Sequence, residues 1–116
     1  MQIRVGDTGA KVSAARRIML ADCEEAMRLA RAGEVPGMAR KVRFRRDIAF
    51  ATNLCTEAVD SLFTASGGGG LYARNPIQRL FRDAHAIAAH IAFNTDVAFG
   101  GFGQAELGLG VSNPAL

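Results

Sequence analysis

Four consecutive glycines, Gly67–Gly70, divide the chain and limit its possible folds more than any other feature. Glycine has no side chain to pack and loses more conformational entropy on folding than any other residue. The run therefore reads as a hinge between elements. It is either a flexible linker between helices or backbone kept bare because a ligand or another chain passes close to it. The next segment, LYARNPIQRLFRDAHAIAAH from Leu71 to His90, holds more than a plain helical bundle requires. It contains an Asn75-Pro76 helix start, an Arg82-Asp83 pair and the histidines His85 and His90.

Helical periodicity dominates on both sides of the glycines. A first helix, capped by Asp7 or Thr8, is expected to run to about Ala32, with Val12, Ala15, Met19, Ala26 and Leu29 on its apolar face. Gly33 stops it. Pro36 suits the first turn of a second helix over Gly37–Ala65. The buried stripe of that helix reads Phe44, Ile48, Ala51, Leu54, Cys55, Ala58, Leu62 and Phe63. Its first half carries Arg40, Lys41, Arg43, Arg45 and Arg46, either a solvated face or an electropositive surface for a phosphate or an acidic partner.

Asn75 is a good N-cap, Pro76 fits the next position, and Gln78 completes a variant of the capping box. The third helix is expected to reach about Phe93. Ile77, Leu80, Phe81, Ala84, Ile87, Ala88 and Ile91 then fall in a sector roughly 120° wide. Asn94, Thr95 and Asp96 offer caps for a short fourth helix, weakened by Gly100, Gly101 and Gly103. The tail from Gly108 to Leu116 reads as irregular. The expected fold is all-α, an antiparallel four-helix bundle in one domain spanning 1–116.

Composition excludes several function classes. Half the chain is hydrophobic (49%), but Ala dominates and aromatics make up only 7%, which favours closely packed helices over sheets. The net charge of +3 is mild and its signs are interspersed, so an anionic partner is allowed without nucleic acid being demanded. No recognition motif or basic stripe with interleaved aromatics supports a DNA-binding reading. Cys23 and Cys55 stand singly and read as free thiols, with no CxxC or metal-binding histidine spacing. No signal-type apolar region follows Met1, and no apolar run approaches the roughly 20 residues of a membrane span, so a cytoplasmic location is expected.

On a continuous third helix, Arg79, Asp83 and His90 share one stripe, with His85 near the apolar edge. At about 100° per residue the histidines lie some 140° apart and cannot chelate one metal. The stripe is either a solvated face with an Arg-Asp pair, or it aims a histidine at a neighbouring pocket as general base or hydrogen-bond partner of a phenolate. His85 reads as a packing or helix-orienting residue. The chain has no Ser/His/Asp set, and Gly67–Gly70 lacks the GK[ST] ending of a phosphate-binding loop.

The glycine run, the N-P-hydrophobic-Q-R segment from Asn75 to Arg79, and R-D-A-H-A-I-A-A-H from Arg82 to His90 together resemble the C-terminal helical domain of the acyl-CoA dehydrogenase superfamily. Gly67–Gly70 matches its G-G-x-G turn, Arg82-Asp83-Ala84 matches its Arg-Asp, and the likeness extends over nearly the whole chain. In detail it is most similar to the flavin-dependent monooxygenase branch, which includes the oxygenase components of two-component phenol hydroxylases and dibenzothiophene monooxygenase. That branch carries a histidine at the position of His90, and HIAFN from His90 to Asn94 has no carboxylate where the dehydrogenases carry their base.

The resemblance implies a flavin cofactor, FMN or FAD in reduced form, with Ser66, Gly67, Gly68, Gly69 and Gly70 offering backbone N–H groups to the flavin of a neighbouring subunit. It implies His90 as the catalytic residue, holding or deprotonating an aromatic or heteroatom substrate that a flavin C4a-hydroperoxide hydroxylates. It implies a homo-oligomer, dimer or tetramer. On this reading the family's N-terminal helical and middle β-domains are expected to be absent from residues 1–116. The chain then reads as a fragment, a separately encoded half or a remnant, inactive alone and completed by a chain bearing those domains. A non-catalytic oligomerisation module and an acyl-CoA dehydrogenase-like protein are the alternatives.

Overall fold

The computed structural model describes residues 1–112, and every regular element in them is helical. Helix α1 spans Gln2–Arg31 and α2 spans Met38–Ala65. A 3-10 turn over Gly67–Leu71 follows, then α3 over Pro76–Ala88, a second 3-10 turn over Ile91–Phe93, and α4 over Thr95–Glu106. Two long helices and two short ones make the expected all-α bundle.

Helix α2 is the hub, and the other three helices pack on it. Lys11 pairs with Glu57 at 3.0 Å near one end of the α1–α2 hairpin, and Arg40 with Glu25 at 3.1 Å near the other, so the two run antiparallel. Phe63 stacks on Phe81 with ring centroids 4.5 Å apart, and Asp60 meets His85 at 2.8 Å, so α3 runs back along α2. The buried apolar residues are mostly alanine, Ala15 on α1, Ala49, Ala51 and Ala58 on α2 and Ala98 on α4, with Leu29 on α1 and Val42 on α2 the two larger ones. Alanine at these positions lets helix axes approach closely, which is how an aromatic-poor chain still forms a dry seam. The expected α2 stripe is correct at Ala51 and Ala58. Its larger members are only half-buried, and Val42 and Ala49 outside the stripe are buried instead.

Helix boundaries depart from the local signals in four places. First, α1 begins at Gln2, not after Asp7 or Thr8. Asp7 pairs with Lys11 one turn on at 3.1 Å, Thr8 is buried, and Arg4 reaches Ser61 of α2, so packing extends the helix through its apparent cap. Second, Pro36 precedes the Gly37 N-cap of α2 rather than lying in its first turn. Third, α3 stops at Ala88, five residues before Phe93, because the His90 side chain binds backbone beyond it. Fourth, α4 runs unbroken through Gly100, Gly101 and Gly103, held by its Asn94 cap and by packing on α2 that offsets the glycine penalty.

The predicted stop at Gly33 is confirmed. Gly33 takes φ 68°, and the Glu34 N–H returns to the Leu29 carbonyl at 2.9 Å, a left-handed helix closure. Gly108 (φ 71°), where the irregular tail was expected to begin, closes α4 the same way, with the Leu109 N–H on the Gln104 carbonyl at 2.8 Å. Residues 109–112 are irregular as expected, and the rest of the predicted irregular tail, 113–116, lies outside the described residues.

Candidate functional site

The glycine run is a built turn rather than a flexible linker. At the end of α2 the Ser66 hydroxyl donates to the Leu62 carbonyl at 2.9 Å, so its proton is committed to the helix. Gly67 takes φ 53°, a left-handed conformation that disfavours any side chain. Gly70 is buried, and a Cβ there would meet Ser66 Cβ at 3.3 Å and Phe63 at 3.5 Å. Gly68 and Gly69 differ from both. Neither has a positive φ, and a Cβ on either would meet nothing within 4 Å. Nothing in this chain's own packing requires glycine at those two positions.

The turn is tied to the start of α3. The Asn75 side chain accepts from the Ile77 N–H at 3.1 Å and donates to the Gly69 carbonyl at 3.2 Å. Gln78 donates to the Leu71 carbonyl at 3.3 Å instead of closing a capping box on Asn75. Two carbonyls of the turn are thus held by α3 and its cap.

His90 lies beyond the other end of α3. It does not share a helical stripe with Arg79 and Asp83, because the helix has already ended. It caps the second 3-10 turn, with Nδ1 accepting from the Ala92 N–H at 3.1 Å and its ring 5.8 Å from that of Phe93. Arg79 and Asp83, 3.8 Å apart, form an exposed pair. Helix α3 has 13 residues, so the glycine turn and His90 are separated by its length, about 20 Å. The structure does not bring them together into one site within the chain. His85 orients helices as expected, bonding Asp60 of α2 and lying 4.4 Å from the Phe81 ring.

The basic cluster of α2 is largely committed. Arg40 and Arg43 pair with Glu25 of α1, and Arg46 pairs with Asp47 at 2.6 Å while lying 4.1 Å from the Phe102 ring centroid. Of the five cations, Lys41 and Arg45 have no ion-pair partner among the described residues. That leaves little of the electropositive surface the sequence allows. The hydrogen bond from Arg43 holds the Glu25 carboxyl below its ordinary range, and the same contact raises the Arg43 pKa. Partial burial, then the neighbouring Asp47, pushes Asp22 up. These charges rim a groove of about 630 Å³ between α1, α2 and α4, floored by Phe50, Phe99 and Phe102. Sequence reasoning missed this groove; the phenylalanines of the glycine-rich fourth helix were its one visible trace. Among the described residues no group of three or more metal-binding side chains occurs, and no helix is long and apolar enough to cross a membrane.

A bundle around a hub helix, with a bare glycine turn before its third helix and a histidine just after it, defines an all-helical domain. The family model for the acyl-CoA dehydrogenase C-terminal domain matches residues 1–95, and the chain belongs to that family. It is 37% identical over 114 residues to the FADH(2)-dependent resorcinol hydroxylase oxygenase component of Rhizobium sp. (strain MTP-10005), covering 94% of this chain and 28% of that protein. The crystal structure of the HsaA monooxygenase from M. tuberculosis superposes with a TM-score of 0.92 at 32% identity, over 99% of this chain and 30% of that one. XiaF from Streptomyces sp., solved with FADH2 and glycerol, gives a TM-score of 0.91 at 28% identity, over 97% of this chain and 28% of that one. The chain therefore spans less than a third of the length of these relatives.

Proposed function

We propose that residues 1–116 form the C-terminal helical domain of a flavin-dependent monooxygenase that hydroxylates an aromatic substrate with reduced flavin. The observation that carries this reading is the 37% identity over nearly the whole chain to an FADH(2)-dependent oxygenase component. The segment from His90 to Asn94 supports it, since no carboxylate is present there to serve as a dehydrogenase base. Gly68 and Gly69 fit the cofactor role, because their bare backbone is unexplained within the chain and suits close approach by a flavin. Ser66, Gly67 and Gly70 shape that approach, and the Ser66 hydroxyl contributes only its lone pairs.

The flavin, when bound, supplies the oxygen-activating chemistry. This chain presents turn backbone to the cofactor and His90 to the substrate. The 20 Å length of α3 between them fits a homo-oligomer in which one subunit lends its glycine turn to one site and its His90 to another. The N-terminal helical and middle β-domains, on a partner chain or the same polypeptide, supply the remaining contacts and exclude water.

A chimera tests this. Residues 1–116 replace the matching segment of the Rhizobium oxygenase, and hydroxylated product is measured with reduced FAD and resorcinol. Product formation supports the reading. A chimera that folds and binds reduced FAD but releases only hydrogen peroxide overturns it.

A further inference from the structure

We infer that His90 meets its ligand as a hydrogen-bond donor through Nε2–H and does not act as a general base; the inference rests on the proposed function. A backbone N–H can only donate, so the ring atom that the Ala92 N–H meets at 3.1 Å must carry a lone pair. That atom is Nδ1, and the single proton of the neutral ring therefore sits on Nε2. The lone pair that a base needs is held by the backbone of the 3-10 turn, and Nε2 presents a proton outward. Protonating Nδ1 would set two donors against each other and undo the cap that positions the ring. The remaining ring contact is apolar, with Phe93, and exerts no competing pull on the proton. Along the chain, Ala88 at the end of α3, its cap Ala89 and the Asn94 cap beyond the turn are all uncharged. A donor at this point suits an acceptor oxygen, so a phenol would be held as its phenolate or through its oxygen lone pair.

The chain has only two histidines, so two-bond proton–nitrogen NMR correlation of the labelled 116-residue protein resolves both rings, with His85→Asn for assignment. The expected His90 pattern is a bare Nδ1 and a protonated Nε2. A protonated Nδ1, or an averaged mixture of tautomers, overturns the inference. Ala92→Pro removes the N–H that fixes the tautomer, and in a folded variant it should convert the pattern to a mixture. An unchanged pattern there overturns the role given to Ala92. If that variant does not fold, the parent spectrum still decides.

In the chimera, His90→Asn keeps an acceptor near the position of Nδ1 but loses the outward donor, while His90→Gln can place an amide N–H near Nε2. Donor action predicts that His90→Gln keeps about tenfold more hydroxylation than His90→Asn, as for one hydrogen bond to a charged group. Equal losses of about 100-fold or more in both support a general base and overturn the inference. Full activity in both, with the tautomer fixed as expected, overturns the placing of His90 at the site while leaving the ring chemistry intact.

Discussion

Asp22 and Glu25 show how far a side chain's environment decides its behaviour. Both face Arg43 from α1, yet their carboxyls shift in opposite directions. Glu25 takes the direct hydrogen bond, so its stabilising contribution is present above the unfolded carboxylate pKa and lost as pH falls through its lowered folded value. Asp22, partly buried beside Asp47, has a raised folded pKa, so its contribution is present at low pH and lost as pH rises through that value. Asp22→Asn should therefore raise Tm at pH 7 and leave it unchanged near pH 3, which calorimetry at the two pH values would show. A fall in Tm at pH 7 would mean that attraction to Arg43 outweighs burial and Asp47. His85 belongs to the same scale. Its bond to Asp60 and its contact with Phe81 are half-exposed, so His85→Ala should cost no more than about 1 kcal/mol in denaturant unfolding.

At the scale of elements, caps and glycines make separable contributions. Asn75 caps α3 and also holds the Gly69 carbonyl. Asn75→Ala should cost about 1 kcal/mol and loosen the glycine turn together with the helix start, seen as faster amide exchange in both segments. In α4, a Cβ at Gly100 or Gly103 would meet nothing within 4 Å. Either residue changed to Ala should stabilise the isolated chain by about 0.5–1 kcal/mol. The same logic at the turn separates its glycines. Gly67→Ala and Gly70→Ala should destabilise the chain, one through its left-handed backbone and the other through its close neighbours. Gly68→Ala and Gly69→Ala should leave thermal unfolding nearly unchanged and weaken only what docks on the turn.

The whole molecule is more open than a self-contained domain of its size. Its radius of gyration is 17.0 Å, against about 13 Å expected for this length. Its accessible surface is 7708 Å², against about 6,100 Å² for a compact monomer of 12.3 kDa. The excess, about 1,600 Å², is about twice the roughly 800 Å² that a standard protein interface removes from each partner. Apolar residues supply much of it, among them Val12, Leu80, Ile87 and Phe99. We therefore expect self-association, with sedimentation at tens of micromolar giving a dimer or larger species; a clean monomer would count against it. The chain alone should bind free flavin weakly or not at all by titration, since the proposed site needs further domains to enclose the ring.

The sequence by itself determined the helical class, the α1 stop at Gly33, the Asn75 cap, the stretch Asn94–Asp96 that holds the α4 cap, and the family through its glycine run and Arg-Asp-Ala-His segment. Each of these is local: a cap, a left-handed glycine or a short motif acts within a few residues, and its signal sits in consecutive letters. Only the tertiary structure decided that α1 starts at Gln2, that α4 continues through three glycines, and that Arg40 and Arg43 are spent on Asp22 and Glu25 of α1. Those outcomes depend on partners far along the chain, whose contribution exceeds the fraction of a kcal/mol that a local preference supplies. His90 falls between the two cases. The sequence marked it as a residue of interest, but periodicity placed it on a helix that a single side-chain-to-backbone bond had already ended.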